Sequence, residues 1–417
     1  MGSIVMAAVL TAALISPGGD EGHGQNFSFV EETWRLPADT SLPGTSTTDV
    51  DLVDVDADGD QDLFIAEGTD SPAPRPNRLL INDGRGVYGD ATATRLPPAV
   101  ANSTKADFGD LDGDGDLDAI VANLGPEQLL RNDHGTFADA STQLPSPPPP
   151  FLQDITADAR LADVDGDGDL DILLSNENPF NPSPNGGGQN RVLINDGSAV
   201  FTDGTAARLP VATDQTGAML PGDIDGDGDM DIVVLNRGQD KVLVNDGTGV
   251  FTDETAARFP VTADTSRGGG LDDLDGDGDV DLVVANSRNE PVALYLNEAG
   301  AFVVSASVPS PRPGETMAGL ELVDLDEDGD LDIYVANAGP FVAGHGFDGG
   351  PDRYFRNNGR ARFADRTATH FPVIDDPTTD AAFGDIDGDG DLDLVVGNSG
   401  AKGGERVLVQ YATGFGP

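Results

Sequence analysis

Seven copies of one nine-residue pattern, D-x-D-x-D-G-D-x-D, constrain this chain more than any other feature. They begin at Asp54, Asp110, Asp163, Asp223, Asp273, Asp324 and Asp385, at intervals of 56, 53, 60, 50, 51 and 61 residues. Near-constant spacing of this kind marks a repeat architecture, in which each unit buries its apolar face only against its neighbours.

Each copy sits in the same local setting. A semi-apolar segment precedes it (ADFGDLD at 106–112, AAFGDID at 381–387), and a Val- and Ile-rich run follows at once (LDAIVAN at 117–123, VDLVVAN at 280–286). Next comes a second run that ends in Asn-Asp-Gly (RLLINDG at 78–84, RVLINDG at 191–197, KVLVNDG at 241–247). That tripeptide is strong hairpin chemistry, because Asn and Gly accept positive φ. A fourth segment alternates apolar and polar residues and stops at Pro (VFTDGTAARLP at 200–210, VFTDETAARFP at 250–260). It reads as an outer, half-exposed strand. Nothing of helical period intervenes. Four short strands per 50–60 residues predict the blades of an all-β, seven-bladed β-propeller.

Two rivals fail. A parallel β-helix repeats every nine residues or so, and a string of independent modules conflicts with the chain ends. The seventh unit runs out after its third strand, in RVLVQYATGFGP (406–417), whereas FVEETWRLP (29–37) matches the fourth-strand pattern. The N-terminal strand is therefore expected to complete blade seven and latch the ring, giving one propeller domain over residues 26–417. Residues 4–15 (IVMAAVLTAALI) are too short for a membrane span and fit the apolar part of an export signal. Residues 1–25 are thus read as signal segment and linker, and the localisation as extracellular or periplasmic.

The loops predict a cation site. Two carboxylates about 4 Å apart repel by roughly 4 kcal/mol at an effective dielectric of 20, and a hard divalent cation removes that cost. Ca²⁺ takes six to eight oxygens. The first-position aspartates named above would converge on it with those at position three (Asp56, Asp112, Asp165, Asp225, Asp275, Asp326, Asp387) and position five (Asp58, Asp114, Asp167, Asp227, Asp277, Asp328, Asp389). Position-six Gly permits the turn. Position seven (Asp60, Asp116, Asp169, Asp229, Asp279, Asp330, Asp391) would offer its backbone carbonyl and turn its carboxylate to water. Position nine (Asp62, Asp118, Asp171, Asp231, Asp281, Asp332, Asp393) would close the shell. An EF-hand needs Glu at position twelve, where this chain has Ile65, Val121, Leu174, Val234, Val284, Val335 and Val396. About seven Ca²⁺ are expected, since Mg²⁺ avoids all-protein cages.

Composition agrees. The net charge of −51 excludes a nucleic-acid binder, which needs a basic face, and 36 of the 74 acidic residues, 35 of them the pattern aspartates, lie in these loops. The absence of Cys excludes disulfides and thiolate chemistry.

The D-x-D-x-D-G loop before an apolar strand resembles the FG-GAP repeats of the integrin alpha-subunit propeller and the related bacterial VCBS repeats. Phe108-Gly109 and Phe383-Gly384 match literally, while Asn123, Asn286 and Asn398 depart from Gly-Ala-Pro toward the VCBS form. The resemblance implies Ca²⁺ in the loops between first and second strands, and ligand recognition on the opposite face or between blades.

The loops of that opposite face vary most in length, as binding loops on a rigid scaffold do. Two long ones, 177–189 and 338–352, carry Phe180, Asn181, Phe341, His345, Phe347 and Asp348, which suit a protein or glycan partner. Among the four His, only His345 lies in such a loop. No G-x-S-x-G, H-E-x-x-H or Walker motif occurs. The expected function is a binding or adhesion scaffold. A carbohydrate-active enzyme or lectin acting through that face is the alternative.

Overall fold

The second strand of every blade begins on the last aspartate of its loop, because the run behind it is buried on both faces and can only be a central strand. These strands are Asp62–Gly68, Asp118–Asn123, Asp171–Asn176, Asp231–Asn236, Asp281–Asn286, Asp332–Asn337 and Asp393–Asn398, each buried throughout. The structure, a computed structural model, describes residues 27–37, 46–68, 75–99, 101–146, 155–177, 186–287, 290–306, 308, 315–342, 346–373, 375–399 and 404–412. The apolar run at 4–15, and with it the whole of 1–25, lies outside them, as do Phe180, Asn181 and His345.

Seven four-stranded antiparallel sheets form the blades. Blade four shows the plan: Thr216–Gly222, Asp231–Asn236, Lys241–Asn245 and Phe251–Asp253. The first strands of successive blades touch in order, and Ser46–Val53 of blade one also meets Thr378–Gly384 of blade seven. They therefore line the axis of a closed ring. Seven apolar clusters fill seven blade interfaces, one more than an open row of seven blades would have. Blades one and two, for example, share Val53, Phe64, Leu79, Ala106, Phe108 and Leu130. Blades seven and one share Val50, Leu63, Ile386 and Val407.

The latch is as expected. Phe27–Glu31 pairs antiparallel with Arg406–Ala412 and completes blade seven, with Phe29 opposite Gln410 as Phe251 is opposite Asn245. Aromatic packing holds it. Phe27 lies 4.5 Å from His370 and 6.0 Å from Tyr354, and Phe29 stacks on Phe371 at 4.6 Å.

The fourth segment differs from the sequence reading. Its strand is only two to five residues long, and a single helical turn follows in most blades (Thr92–Arg95, Thr205–Arg208, Thr255–Arg258, Thr367–His370). The cause is local. The Asp203 carboxylate accepts the Thr205 N–H at 3.0 Å, and the Thr205 hydroxyl accepts the Val192 N–H of the third strand at 3.2 Å. Asp90 with Thr92 and Asp253 with Thr255 repeat the device. Side-chain bonds of this type divert the backbone from a ladder.

Truncation of Phe29, 4 % exposed, to Ala should cost about 3–5 kcal/mol. Denaturant unfolding should place it level with Phe251→Ala. A loss under about 1 kcal/mol would mean that the terminal strand does not hold the ring.

Candidate metal centre

The aspartate loops and the turns that follow the third strands, Asn-Asp-Gly in three of them, lie at the same end of the blades, since strand direction alternates. Each loop is set by glycine at position six, where φ is between +90° and +97° in all seven copies. Position one organises the turn. In the second loop Asp110 Oδ1 accepts the Gly113 N–H at 2.8 Å and Oδ2 the Gly115 N–H at 3.1 Å. At position five, Asp114 Oδ1 accepts the Asp116 N–H at 3.0 Å, and the other six loops repeat this bond.

Carboxylate oxygens thereby converge. Those of Asp54, Asp56 and Asp58, and those of Asp110, Asp112 and Asp114, lie within 4.8 Å of one another. In the third and fourth loops the trios are Asp163, Asp165, Asp171 and Asp223, Asp225, Asp231, so position nine joins positions one and three. Ligands on opposite sides of a Ca²⁺, each about 2.4 Å away, would be separated by about that span.

Position three carries the test of fit. Asp56, Asp165, Asp225 and Asp387 each give one oxygen to an arginine, at 2.7, 2.7, 2.9 and 3.0 Å from Arg95, Arg208, Arg258 and Arg35. Arg131 pairs with Asp112 and Arg356 with Asp326. The other oxygen, Oδ1 of Asp56, Asp165, Asp225, Asp326 and Asp387, is buried without a hydrogen-bond partner, and so is Oδ1 of Asp275. A buried carboxylate oxygen without a donor is costly. Six such oxygens, each beside other carboxylates, match the needs of a hard cation.

Position nine does structural work as well. Asp118 is fully buried, with Oδ1 accepting the Asn132 N–H at 2.8 Å and Oδ2 the Leu111 N–H at 3.3 Å. Asp171, Asp231 and Asp281 make the same pair of bonds. Desolvation raises these acids, to about 6 for Asp118 and about 8 for Asp393.

Position seven differs from expectation. In six of the seven loops its carboxylate turns to the neighbouring hairpin rather than to water. Asp116 Oδ2 accepts the His134 N–H at 3.0 Å and Asp279 Oδ2 the Ala299 N–H at 3.1 Å. Those of Asp60, Asp169, Asp229 and Asp330 press on the turn glycines Gly84, Gly197, Gly247 and Gly359. Crowding by that carboxylate adds to positive φ in reserving these sites for glycine.

Two sets of residues at this face went unread in the sequence. The hairpin Asn does more than form its turn. Its side chain in fact crosses to the preceding blade: Asn132, Asn195, Asn245 and Asn297 donate at 2.8 Å to the carbonyls of Val55, Leu111, Val164 and Ile224, the second positions of the loops before. The arginines also bridge blades. Arg208 donates to the Thr248 carbonyl at 2.6 Å and Arg258 to the Gly300 carbonyl at 2.9 Å. Arg35, Arg95, Arg208 and Arg258 all stand two residues before Pro, a signal present in the sequence.

On the opposite face, the Asn that ends the second strand fixes the following loop. Asn123, Asn236 and Asn286 donate to Pro126, Gln239 and Pro291 carbonyls at 2.9 Å. Of the candidate ligand residues, Phe341 and Phe347 are backbone partners in a pair of two-residue strands, Phe347 is 37 % exposed, and the Asp348 N–H donates to the Pro340 carbonyl at 3.1 Å. His370 is an aromatic packing partner and His134 caps a turn at φ +50°.

Six segments of the chain, 54–121, 110–174, 183–234, 223–271, 273–335 and 341–396, match the FG-GAP-like repeat. No curated protein matches. Among solved structures, BBS1N in complex with ARL6DN is similar at 12 % identity and TM-score 0.58, covering 94 % of this chain and 99 % of that one. A lectin from Agrocybe aegerita that recognises non-reducing terminal N-acetylglucosamine aligns at 18 % identity and TM-score 0.47 over 80 % of each chain. The extracellular domain of a putative one-component system from B. thetaiotaomicron aligns at 10 % and 0.49, over 91 % of this chain and 39 % of that one.

Asn245→Ala removes donors to the Val164 and Met230 carbonyls. It should cost about 1–3 kcal/mol, whereas Asp246→Ala next to it should be near neutral in the same urea titration. A second prediction concerns Asp240, whose two oxygens accept, among the described residues, the Asn236 N–H and the Ser266 hydroxyl. Burial pushes it to about 7. A folded pKa above the unfolded one means that the native state binds more protons, so stability falls as pH rises from about 4 through 7. With calcium held in excess, Asp240→Asn should flatten the melting temperature between pH 5 and 8; an unchanged slope would assign the dependence elsewhere.

Proposed function

Because the chain belongs to the FG-GAP-like repeat family, we propose that it is a calcium-loaded propeller that acts outside the cytoplasm as a scaffold for binding or adhesion, with the face opposite the metal loops turned to a protein or glycan partner. Propellers of this repeat often bind Ca²⁺. The observation that carries the proposal is the set of buried position-three oxygens without donors.

In this reading each loop supplies carboxylates from positions one, three, five and nine and a backbone carbonyl from position seven. Bound Ca²⁺ would neutralise the loop and hold its two strands at fixed spacing. Arginine holds one oxygen of the position-three carboxylate, which leaves the other for the ion. The partner would meet the long loops of the other face, with Phe341, Phe347 and Asp348 on one, and Phe180, Asn181 and His345 as further contacts.

Each ion bound only by the folded state adds about 2.7 kcal/mol at a hundredfold excess over its Kd. Chelation by EGTA should therefore lower the melting temperature steeply, and added CaCl₂ should restore it. A melting temperature that neither reagent moves would overturn the metal assignment.

A further inference from the structure

Every innermost strand carries a β-bulge at the same place, after its first residues. Bulges re-aim the side chains that follow. In four blades the next residue is charged (Asp49, Lys105, Asp158, Asp380), and in the other three it is Ala218, Gly268 or Gly319. Two residues further on come Asp51, Asp107, Arg160 and Glu321. Arg160 of blade three and Lys105 of blade two both feel Glu321 of blade six. Those blades are not neighbours, so this interaction of charges runs across the axis.

Six carboxylates thus share the axis with two cations. Part of the excess is used to cap inner strand edges: Asp49 Oδ2 accepts the Ala106 N–H at 2.7 Å, Asp107 Oδ2 the Leu161 N–H at 2.8 Å, and Asp380 Oδ2 the Val50 N–H at 3.2 Å. Lys105 Nζ lies 2.5 Å from Asp49 Oδ1 and 3.8 Å from Asp380. What remains is unpaired. Asp158 is 3 % exposed; its Oδ2 accepts from Arg160 at 3.1 Å, but its Oδ1 has no donor. Asp51 Oδ2 is buried and likewise has none. Asp51 and Asp380 are both driven well above the usual carboxylate range by desolvation, with Asp49 adding to it.

The axis also has room and access. A β-carbon on Gly268, in the same layer as Asp158, would meet no atom within 4 Å. Lys105 and Arg160 keep 21 % and 33 % of their side-chain surface open.

We propose that the axis binds one hard divalent cation, apart from those of the loops, in the space shared by Asp49, Asp51, Asp158 and Asp380, with Asp158 Oδ1 and Asp51 Oδ2 as the oxygens that seek it. Oxygen-rich, net-negative surroundings suit Ca²⁺.

The test is native mass spectrometry of the full chain, stripped by chelator and returned to CaCl₂. The double variant Asp51→Asn with Asp158→Asn should hold one ion fewer than wild type. Asp110→Asn with Asp112→Asn, in a loop, should independently remove another. Gly268→Lys places an ammonium in the open space and should also remove the axial ion, which covers the case in which the double variant fails to fold. If the loops bind nothing, wild type still carries the one ion that Gly268→Lys abolishes, so the two readings fail separately. Wild-type stoichiometry in both axial variants would overturn the proposal.

Discussion

A buried carboxylate at the start of each second strand is the interaction on which the blade depends. Asp231 is fully buried, and its two oxygens accept the Ile224 N–H of the preceding loop and the Asn245 N–H at the end of the third strand. One side chain therefore fixes loop, second strand and third strand together. Asn245 in turn reaches the Val164 carbonyl of blade three. The chain of bonds passes from loop to hairpin to the next loop around the ring, so the geometry of each cation site depends on its neighbours. Hydrogen bonds to a charged acceptor in a low-dielectric interior are the strong ones, and an unmade one is costly.

The charge that crowds the loops divides the molecule. One end collects carboxylates, arginines and tight turns. The other carries the connections of unequal length, steadied by the Asn at six of the seven second-strand ends. Arg35 joins this division to ring closure: it donates to Asp387 in the seventh loop and to the Arg85 carbonyl in blade one, while the strand just before it, Phe27–Glu31, completes blade seven. The ends of the chain are thereby tied to both a metal loop and the neighbouring blade.

The repeat made the fold legible. Strand order, seven blades and the N-terminal latch follow from local spacing, and Phe29 sits where the match to Phe251 placed it. The short outer strand is hidden in the sequence because Asp-x-Thr, a two-residue capping device, has the same alternation as a strand. The roles of Asn132 and Arg208 were hidden for a different reason. Their partners, Val55 and Thr248, are 77 and 40 residues away, and only the packed ring brings them within reach. The axial cluster was hidden likewise: Asp49, Lys105 and Asp158 are each unremarkable in an alternating strand, and only the common bulge aims them at one centre.

The central claim is that the orphaned oxygens at position three face a metal ion. Anomalous diffraction from crystals grown with terbium, a hard oxygen-seeking ion in place of calcium, tests it most directly. The account predicts density at the centre of the loops, within ligand distance of the first-, third- and fifth-position carboxylates. Loops free of anomalous density, with Oδ1 of Asp165 and Asp225 bonded to water instead, would contradict it.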